Sequence, residues 1–202
     1  MKQGLTEGTS FELPDADIEF QESFLGASEA NRLFKKLEAT IAWSQHRVRI
    51  FGRDYPCPRL SAWYGDASAT YRYSGQTLEP KCWTAELLDL KNRVSEHCAA
   101  ELNSVLLNLY RDGSDGMGWH SDDEPELGPE PLIASISAGE TRKFRMRHRH
   151  RKDLSAEAWW LNPGSLFVMR GTTQRYWQHE VPKTKRVIHP RINLTFRMVR
   201  AV

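Results

Sequence analysis

Apolar residues recur at helical spacing between Ser28 and Trp43, where Ala30, Leu33, Phe34, Leu37 and Ile41 share one face. This predicts an amphipathic helix with Ser28 as its N-cap. A second helix is expected from Thr84 to about Ala99, with Leu87, Leu88, Val94 and Cys98 on its buried side. After residue 103 the period changes from helical to two. Short β-prone runs at 104–110, 131–137, 142–150, 157–161, 165–170, 177–181 and 191–199 are separated by Gly, Pro, Asp or Asn. Many short strands with regular turn signals predict an all-β sandwich or a double-sheet jelly roll. Residues 47–75 are rich in aromatics, Gly and Pro and read as hairpins and loops, and residues 1 to about 20 read as a loosely held arm leading into a short strand. The coarse expectation is an α/β N-terminal part leaning on a C-terminal jelly roll, without internal repeats or a long linker.

Composition narrows this picture slightly. A chain of 202 residues fits one domain and can bury a substantial core, and its seven tryptophans and eight phenylalanines supply bulky core or stacking groups. Hydrophobic content of 40% and charged content of 27% argue against disorder along the whole chain. The net charge of +2 does not by itself imply a nucleic-acid partner. Three cysteines without CxxC spacing argue against a disulfide framework and fit a reducing compartment. No apolar leader opens the sequence and no run of 18 apolar residues occurs. The expectation is a soluble monomer, cytoplasmic or nuclear if eukaryotic, with no membrane partner.

Local charge patterns carry the chemistry. His120-Ser121-Asp122 precedes a turn-rich loop, and in an extended segment residues two apart project from the same face. His179 follows in another strand-like run. Two neutral imidazoles and one carboxylate can form the facial triad of a non-haem Fe(II) oxygenase, although a zinc hydrolase uses the same ligand types and H-x-D alone is a weak signal. In Arg191–Arg197, alternation puts Arg191, Asn193, Thr195 and Arg197 on one side and Ile192, Leu194 and Phe196 on the other. Two arginines on an inward polar face call for anionic partners, and a dicarboxylate meets that need through bidentate charge-assisted bonds. Their Cα atoms would lie roughly 20 Å apart, so long side chains must converge. A solvated basic strand face remains the plain alternative. Asn108 and Tyr110 share a side and would complete a polar pocket, in a run that is otherwise an ordinary strand. Within 141–152, alternation separates Phe144, Met146, His148 and His150 from Arg145, Arg147, Arg149 and Arg151. Such a row of arginines, about 7 Å apart, suits a phosphate backbone or, equally, a charged edge that discourages aggregation. Arg47, Arg49, Arg53, Lys183, Lys185 and Arg186 would extend the positive surface, and His148 and His150 are not read as metal ligands.

Several segments then align in order and spacing. Asn108-Leu-Tyr110-Arg-Asp-Gly, Trp119-His120-Ser-Asp122-Asp-Glu124-Pro, Ile133-Ala-Ser-Ile-Ser-Ala-Gly, Gln178-His179-Glu-Val-Pro and Arg191-Ile-Asn193-Leu-Thr-Phe-Arg197 together resemble the AlkB family of Fe(II)- and 2-oxoglutarate-dependent dioxygenases, most of all its two human members that repair DNA. The similarity runs from about residue 45 to 199. It implies an α+β fold: a double-stranded β-helix (jelly roll) with an N-terminal helical and hairpin nucleotide-recognition lid. Residues 1–202 would form a single catalytic domain, with 1–102 as the N-terminal extension, helices and recognition hairpins and 103–202 as the core. By the same resemblance His120, Asp122 and His179 hold Fe(II). Arg191 pairs with the distal carboxylate of 2-oxoglutarate, helped by Tyr110 and Asn193, while Arg197 and Asn108 bind near the carboxylate that chelates iron. Trp63 and Tyr71 match positions lining the base pocket, and Glu124 matches an acidic residue near the damaged base. Arg47–Arg53 resembles a hairpin whose aromatic finger, here Phe51 before Gly52, would enter the gap left by a flipped base; a core phenylalanine is the competing reading.

The implied activity is oxidative dealkylation of 1-methyladenine and 3-methylcytosine in nucleic acid, with 2-oxoglutarate and O₂ consumed and aldehyde, succinate and CO₂ released. Alkylated DNA is the expected partner, with RNA or a protein as alternative substrates of the same fold. A different class stays open: a non-catalytic nucleic-acid-binding jelly roll whose metal is structural.

Overall fold

In the computed structural model, residues 8–50, 52–73, 76–186 and 188–200 are described. The N-terminal half supplies strands β1 (Thr9–Leu13) and β2 (Ala16–Gln21), helix α1 (Ala27–Thr40), strands β3 (Arg47–Ile50), β4 (Arg53–Pro56), β5 (Leu60–Gly65), β6 (Tyr71–Tyr73) and β7 (Gln76–Leu78), and helix α2 (Ala85–Cys98). Then follow β8 (Ser104–Tyr110), β9 (Met117–His120), β10 (Ile133–Gly139), β11 (Arg142–His148), β12 (Glu157–Leu161), β13 (Leu166–Arg170), the short helix α3 (Thr173–Tyr176), β14 (Trp177–Val181) and β15 (Arg191–Arg197). All seven strand runs expected after residue 103 are present, with ends shifted by up to two residues. No helix among the described residues is long and apolar enough to cross a membrane.

The strands form a seven-stranded sheet in the order β1-β2-β13-β10-β15-β8-β5 and a four-stranded sheet in the order β12-β11-β14-β9. Two separate hairpins, β3-β4 and β6-β7, complete the set. Every ladder between named strands is antiparallel. This is the jelly roll the strand spacing predicts, with α1 and α2 packed on one side of the large sheet.

Alternation decides what each face of the large sheet does. Val105, Leu107, Ala134, Ile136, Leu194 and Phe196 join Leu37 of α1 and Leu87, Leu90 and Val94 of α2 in one buried core. A second core lies between the two sheets, where Ile133 and Phe167 meet Phe144, Met146 and Trp177. Burying each Val, Leu, Ile, Phe or Met side chain among these contributes roughly 1.5–3 kcal/mol. The polar residues of β15 therefore face the space between the sheets while its apolar residues seat the helices.

Three local expectations are corrected. Ser28 does not cap α1: the N-cap is Gly26, which makes no side-chain cap bond. Leu88 is 40% exposed, and Leu90 takes the buried place, because the core side of α2 follows 87, 90 and 94. Residues 9–21 are a β-hairpin that adds to the large sheet through β2–β13 pairing, with Leu166 opposite Gln21, so this segment is not a loose arm. Its partner strand is so distant in sequence that no local pattern announces the pairing. Thr84 caps α2, its Oγ1 accepting from Leu87 N–H at 3.3 Å.

Candidate metal and cosubstrate site

Strands β9 and β14 pair so that His120 stands opposite His179. β9 ends at His120, so Asp122 reaches the site from the following loop, not from a continued strand. Three contacts hold it there. Asp122 N–H donates to Gln174 Oε1 at 2.9 Å, Ser121 Oγ donates to the Trp177 carbonyl at 2.9 Å, and Arg197 Nη2 donates to Asp122 Oδ2 at 3.2 Å. The potential ligand atoms of His120, Asp122 and His179 all lie within 4.8 Å of one another.

The protonation states suit a divalent cation. Burial would raise the Asp122 carboxyl, but Arg197, His179, His120 and Arg59 bring it down to about 2. Burial pushes His179 down to about 3, with His120 and Arg197 adding to the shift and Asp122 opposing it. At neutral pH the carboxylate is ionised and the imidazole of His179 is neutral, as ligands must be. His120 Nδ1 faces the Gly118 carbonyl at 2.8 Å. His179 Nδ1 is buried without a hydrogen-bond partner among the described residues. A buried nitrogen in that condition is costly unless something else engages the ring. Two imidazoles, one carboxylate and an unpaired buried ring nitrogen fit a bound Fe(II).

A cationic end lies across the same cavity. Arg191, 1% exposed, donates from Nη2 to Ser137 Oγ and to Asn193 Oδ1, both at 2.9 Å. Its Nε and Nη1 are buried with no hydrogen-bond partner among the described residues, and its Cζ is 5.4 Å from the Tyr110 ring centroid. Burial lowers the guanidinium pKa to about 10, leaving it charged at neutral pH. Ser135 Oγ donates to Asn193 Oδ1, and Asn193 Nδ2 donates to Thr195 Oγ1, each at 2.8 Å, which locks the amide. A buried guanidinium with free donors and no carboxylate bonded to it among the described residues calls for an anionic ligand, and a dicarboxylate fits.

The cavity is lined by Asn108, Tyr110, His120, Asp122, His179, Arg191, Asn193 and Arg197, together with Trp63 and Glu124. Trp63 lies on β5, a strand of the large sheet rather than a hairpin, and its Nε1 donates to the Ala69 carbonyl at 3.4 Å. Phe51 lies outside the described residues, and so does the side chain of Tyr71 at the start of β6. Pattern reading missed His46, Cys57, Arg59 and Met117, all in the lining. Arg59 donates from Nε to Asn108 Oδ1 at 2.8 Å. It sits in the irregular segment before β5, where no periodicity marks an inward side chain.

The arginine row on β11 points away from this cavity. Arg145 pairs with Glu180 at 2.9 Å, Arg147 donates to Gln178, Arg149 pairs with Asp123 and Arg151 with Asp153. β11 ends at His148, so Arg149 and Arg151 leave the strand, and the regular spacing expected of the row stops there. His148 accepts from the N–H groups of His150 and Arg151, a turn-building role.

A family model described as the 2OG-Fe(II) oxygenase superfamily matches residues 17–197. The mouse DNA oxidative demethylase ALKBH2 is 41% identical over 183 residues, a match spanning 86% of this chain and 77% of that protein. The human alpha-ketoglutarate-dependent dioxygenase alkB homolog 3 is 41% identical over 184 residues, spanning 87% of this chain but only 64% of that relative. In backbone, the chain is similar to the solved structure of OsALKBH1, with a TM-score of 0.64 over 94% of this chain and 17% sequence identity. That likeness concerns the fold alone.

Proposed function

This chain belongs to the 2OG-Fe(II) oxygenase superfamily, in its AlkB branch, and from that membership we propose that it removes alkyl groups oxidatively from N-alkylated bases in nucleic acid. It is a dioxygenase that uses Fe(II), 2-oxoglutarate and O₂. The observation that carries the reading is one cavity holding both the His120/Asp122/His179 cluster and the buried Arg191 guanidinium, whose Nε and Nη1 have no partner among the described residues. A structural metal would leave Arg191 without purpose, so that arrangement speaks against a non-catalytic module. Relatives named as DNA oxidative demethylases support nucleic acid as substrate.

On this reading His120, Asp122 and His179 hold the metal. Arg191, Tyr110 and Asn193 receive the far carboxylate of 2-oxoglutarate, and Arg197 and Asn108 flank the end that chelates iron. When bound, metal and cosubstrate supply the O₂-driven hydroxylation of the N-alkyl carbon, with 2-oxoglutarate going to succinate and CO₂. The hydroxyalkyl adduct then loses aldehyde and leaves the repaired base. Arg197 does two things here: it keeps Asp122 ionised and it fixes the carboxylate's direction. The target atom is out of reach in a stacked duplex, so the base enters flipped or single-stranded. Trp63 in the lining offers a face against which it stacks, and by the resemblance in sequence Tyr71 belongs to the same base pocket and Phe51 to the finger. 1-Methyladenine and 3-methylcytosine carry positive charge, which suits the Glu124 carboxylate in the lining. Residues 1–202 act as one catalytic unit.

The test is incubation with Fe(II), ascorbate, 2-oxoglutarate and O₂ and oligonucleotides carrying either lesion, single- and double-stranded, with mass spectrometry for the lost methyl group. Demethylation that requires iron and 2-oxoglutarate, and that disappears in Asp122→Ala, is the expected result. Succinate formation without demethylation would redirect the substrate to RNA or protein. Absence of both products overturns the catalytic assignment.

A further inference from the structure

Arg142 opens β11 on the strand's inward side, in phase with Phe144 and Met146, and is 3% exposed. Burying a guanidinium is costly unless its donors are filled. Its acceptors are all main-chain carbonyls: Nη1 donates to Asp112 O at 3.2 Å, and Nη2 to Asp115 O at 2.9 Å and Pro182 O at 2.8 Å. Those carbonyls belong to two different segments, the β8–β9 loop and the stretch following β14. The Asp115 carboxylate is committed elsewhere, accepting from Arg111 Nε at 2.7 Å and Arg111 Nη2 at 2.9 Å. The same two segments touch directly as well. Thr184 N–H donates to the Gly113 carbonyl at 2.8 Å, and a Cβ on Gly113 would stand 2.3 Å from Thr184 O. Each segment is continuous with the site: the loop joins Tyr110 to the strand bearing His120, and Pro182 follows the strand bearing His179. Finally, Arg142 Cζ lies 5.6 Å from the Tyr110 ring centroid, beside Arg191 at 5.4 Å from the same ring.

We propose that Arg142 is a positioning residue for the dicarboxylate cosubstrate, clamping the β8–β9 loop to the segment after β14 so that Tyr110 and Arg191 keep the arrangement that receives a carboxylate. Its donors are spent on carbonyls, so it does not bind the cosubstrate itself. Its charge is not cancelled by a hydrogen-bonded carboxylate among the described residues, and it adds to the positive field at that end of the cavity. The proposal rests on Arg191 being the cosubstrate's anchor.

The experiment is calorimetric binding of 2-oxoglutarate to the Mn(II)-loaded protein without O₂, paired with steady-state kinetics on a methylated oligonucleotide. Arg142→Met should raise the Kd and KM for 2-oxoglutarate on the order of ten-fold or more, from the loss of charged hydrogen bonds. Mn(II) affinity, the KM for oligonucleotide and kcat at saturating 2-oxoglutarate should stay within about two-fold, a split that general loosening of the fold would not produce. Arg142→Lys should recover part of the affinity, since an ammonium reaches some of the carbonyls but lacks the planar fork. Gly113→Ala touches no cavity residue and pries the two segments apart, so it should weaken 2-oxoglutarate in the same direction even if Arg142→Met fails to fold. Arg191→Met is the control that separates two failures. Normal 2-oxoglutarate binding in Arg191→Met would overturn the site assignment and the clamp with it. Loss in Arg191→Met beside unchanged binding in Arg142→Met and Gly113→Ala would overturn the clamp alone.

Discussion

Arg197 and Arg191 sit six positions apart on one strand face, yet their side chains do different work. Arg197 bonds Asp122 through Nη2 and leaves its buried Nε without a partner among the described residues, whereas Arg191 has no carboxylate bonded to it there and leaves both Nε and Nη1 open. Alternation puts both in the cavity, but only the neighbours they meet separate their roles. Trp63 invites a prediction at the same scale. Trp63 lines the cavity, and on the proposed function it is the stacking platform for the base; base–aromatic stacking contributes roughly 1–3 kcal/mol. Trp63→Ala should therefore raise the KM for a methylated oligonucleotide by about five-fold to a hundred-fold. Trp63→Phe should restore most of it, with the 2-oxoglutarate Kd unmoved in both. Steady-state kinetics beside calorimetry checks this, and an unchanged oligonucleotide KM in Trp63→Ala would remove Trp63 from the pocket assignment.

At the scale of elements, the turns are as constrained as the strands. Gly164, between β12 and β13, has φ of +87°, and a Cβ there would stand 2.3 Å from the Leu25 carbonyl oxygen. Leu25 N–H in turn donates to the Gly164 carbonyl at 3.0 Å, tying the approach to α1 onto this turn. Gly164→Ala combines a left-handed backbone with a main-chain collision, so it should cost about 1–3 kcal/mol of stability, read as a lower urea midpoint with little change in slope. Thr84→Ala, which removes only the cap of α2, should cost about 1 kcal/mol in the same assay. A larger loss from Thr84→Ala than from Gly164→Ala would contradict this ordering.

Across the whole molecule, one ion cluster fastens the N-terminal hairpin and α2 to the large sheet. Glu19 on β2 accepts from Arg170 of β13 at 2.6 Å and meets His97 of α2 at 2.5 Å. Burial would raise the Glu19 carboxyl, but its hydrogen bonds to Arg170 and His97 outweigh that and hold it below its ordinary 4.5. A depressed folded-state pKa means the group's stabilisation is present above the unfolded value and is lost as pH falls through the folded one. Stability should thus decline as pH drops below about 4.5. Glu19→Gln should lower the unfolding midpoint at pH 7 and flatten that acid decline. Parallel pH profiles for the two proteins would show that the cluster does not contribute.

Much of this was legible along the chain because strands have a period of two. The β15 faces and the inward histidines follow from side chains alternating about an extended backbone, whereas Asp122 joins them from a loop and His179 meets His120 only through β9–β14 pairing. The sequence by itself thus determined the jelly-roll strands and the chemical types brought to the cavity. Other features depend on segments far apart in the chain meeting, which no local pattern encodes. The hairpin at residues 9–21 exists as sheet because β13 offers it an edge, and Arg59 enters the lining because β5 pairs with β8. Arg142 reads as one more cation in a basic run, and becomes a clamp only when two loops fold over it. Ionisation was tuned by the tertiary structure: neighbouring charges outweigh the burial of Asp122 and hold its pKa low, burial keeps His179 neutral, and Arg191 stays charged although burial lowers its pKa.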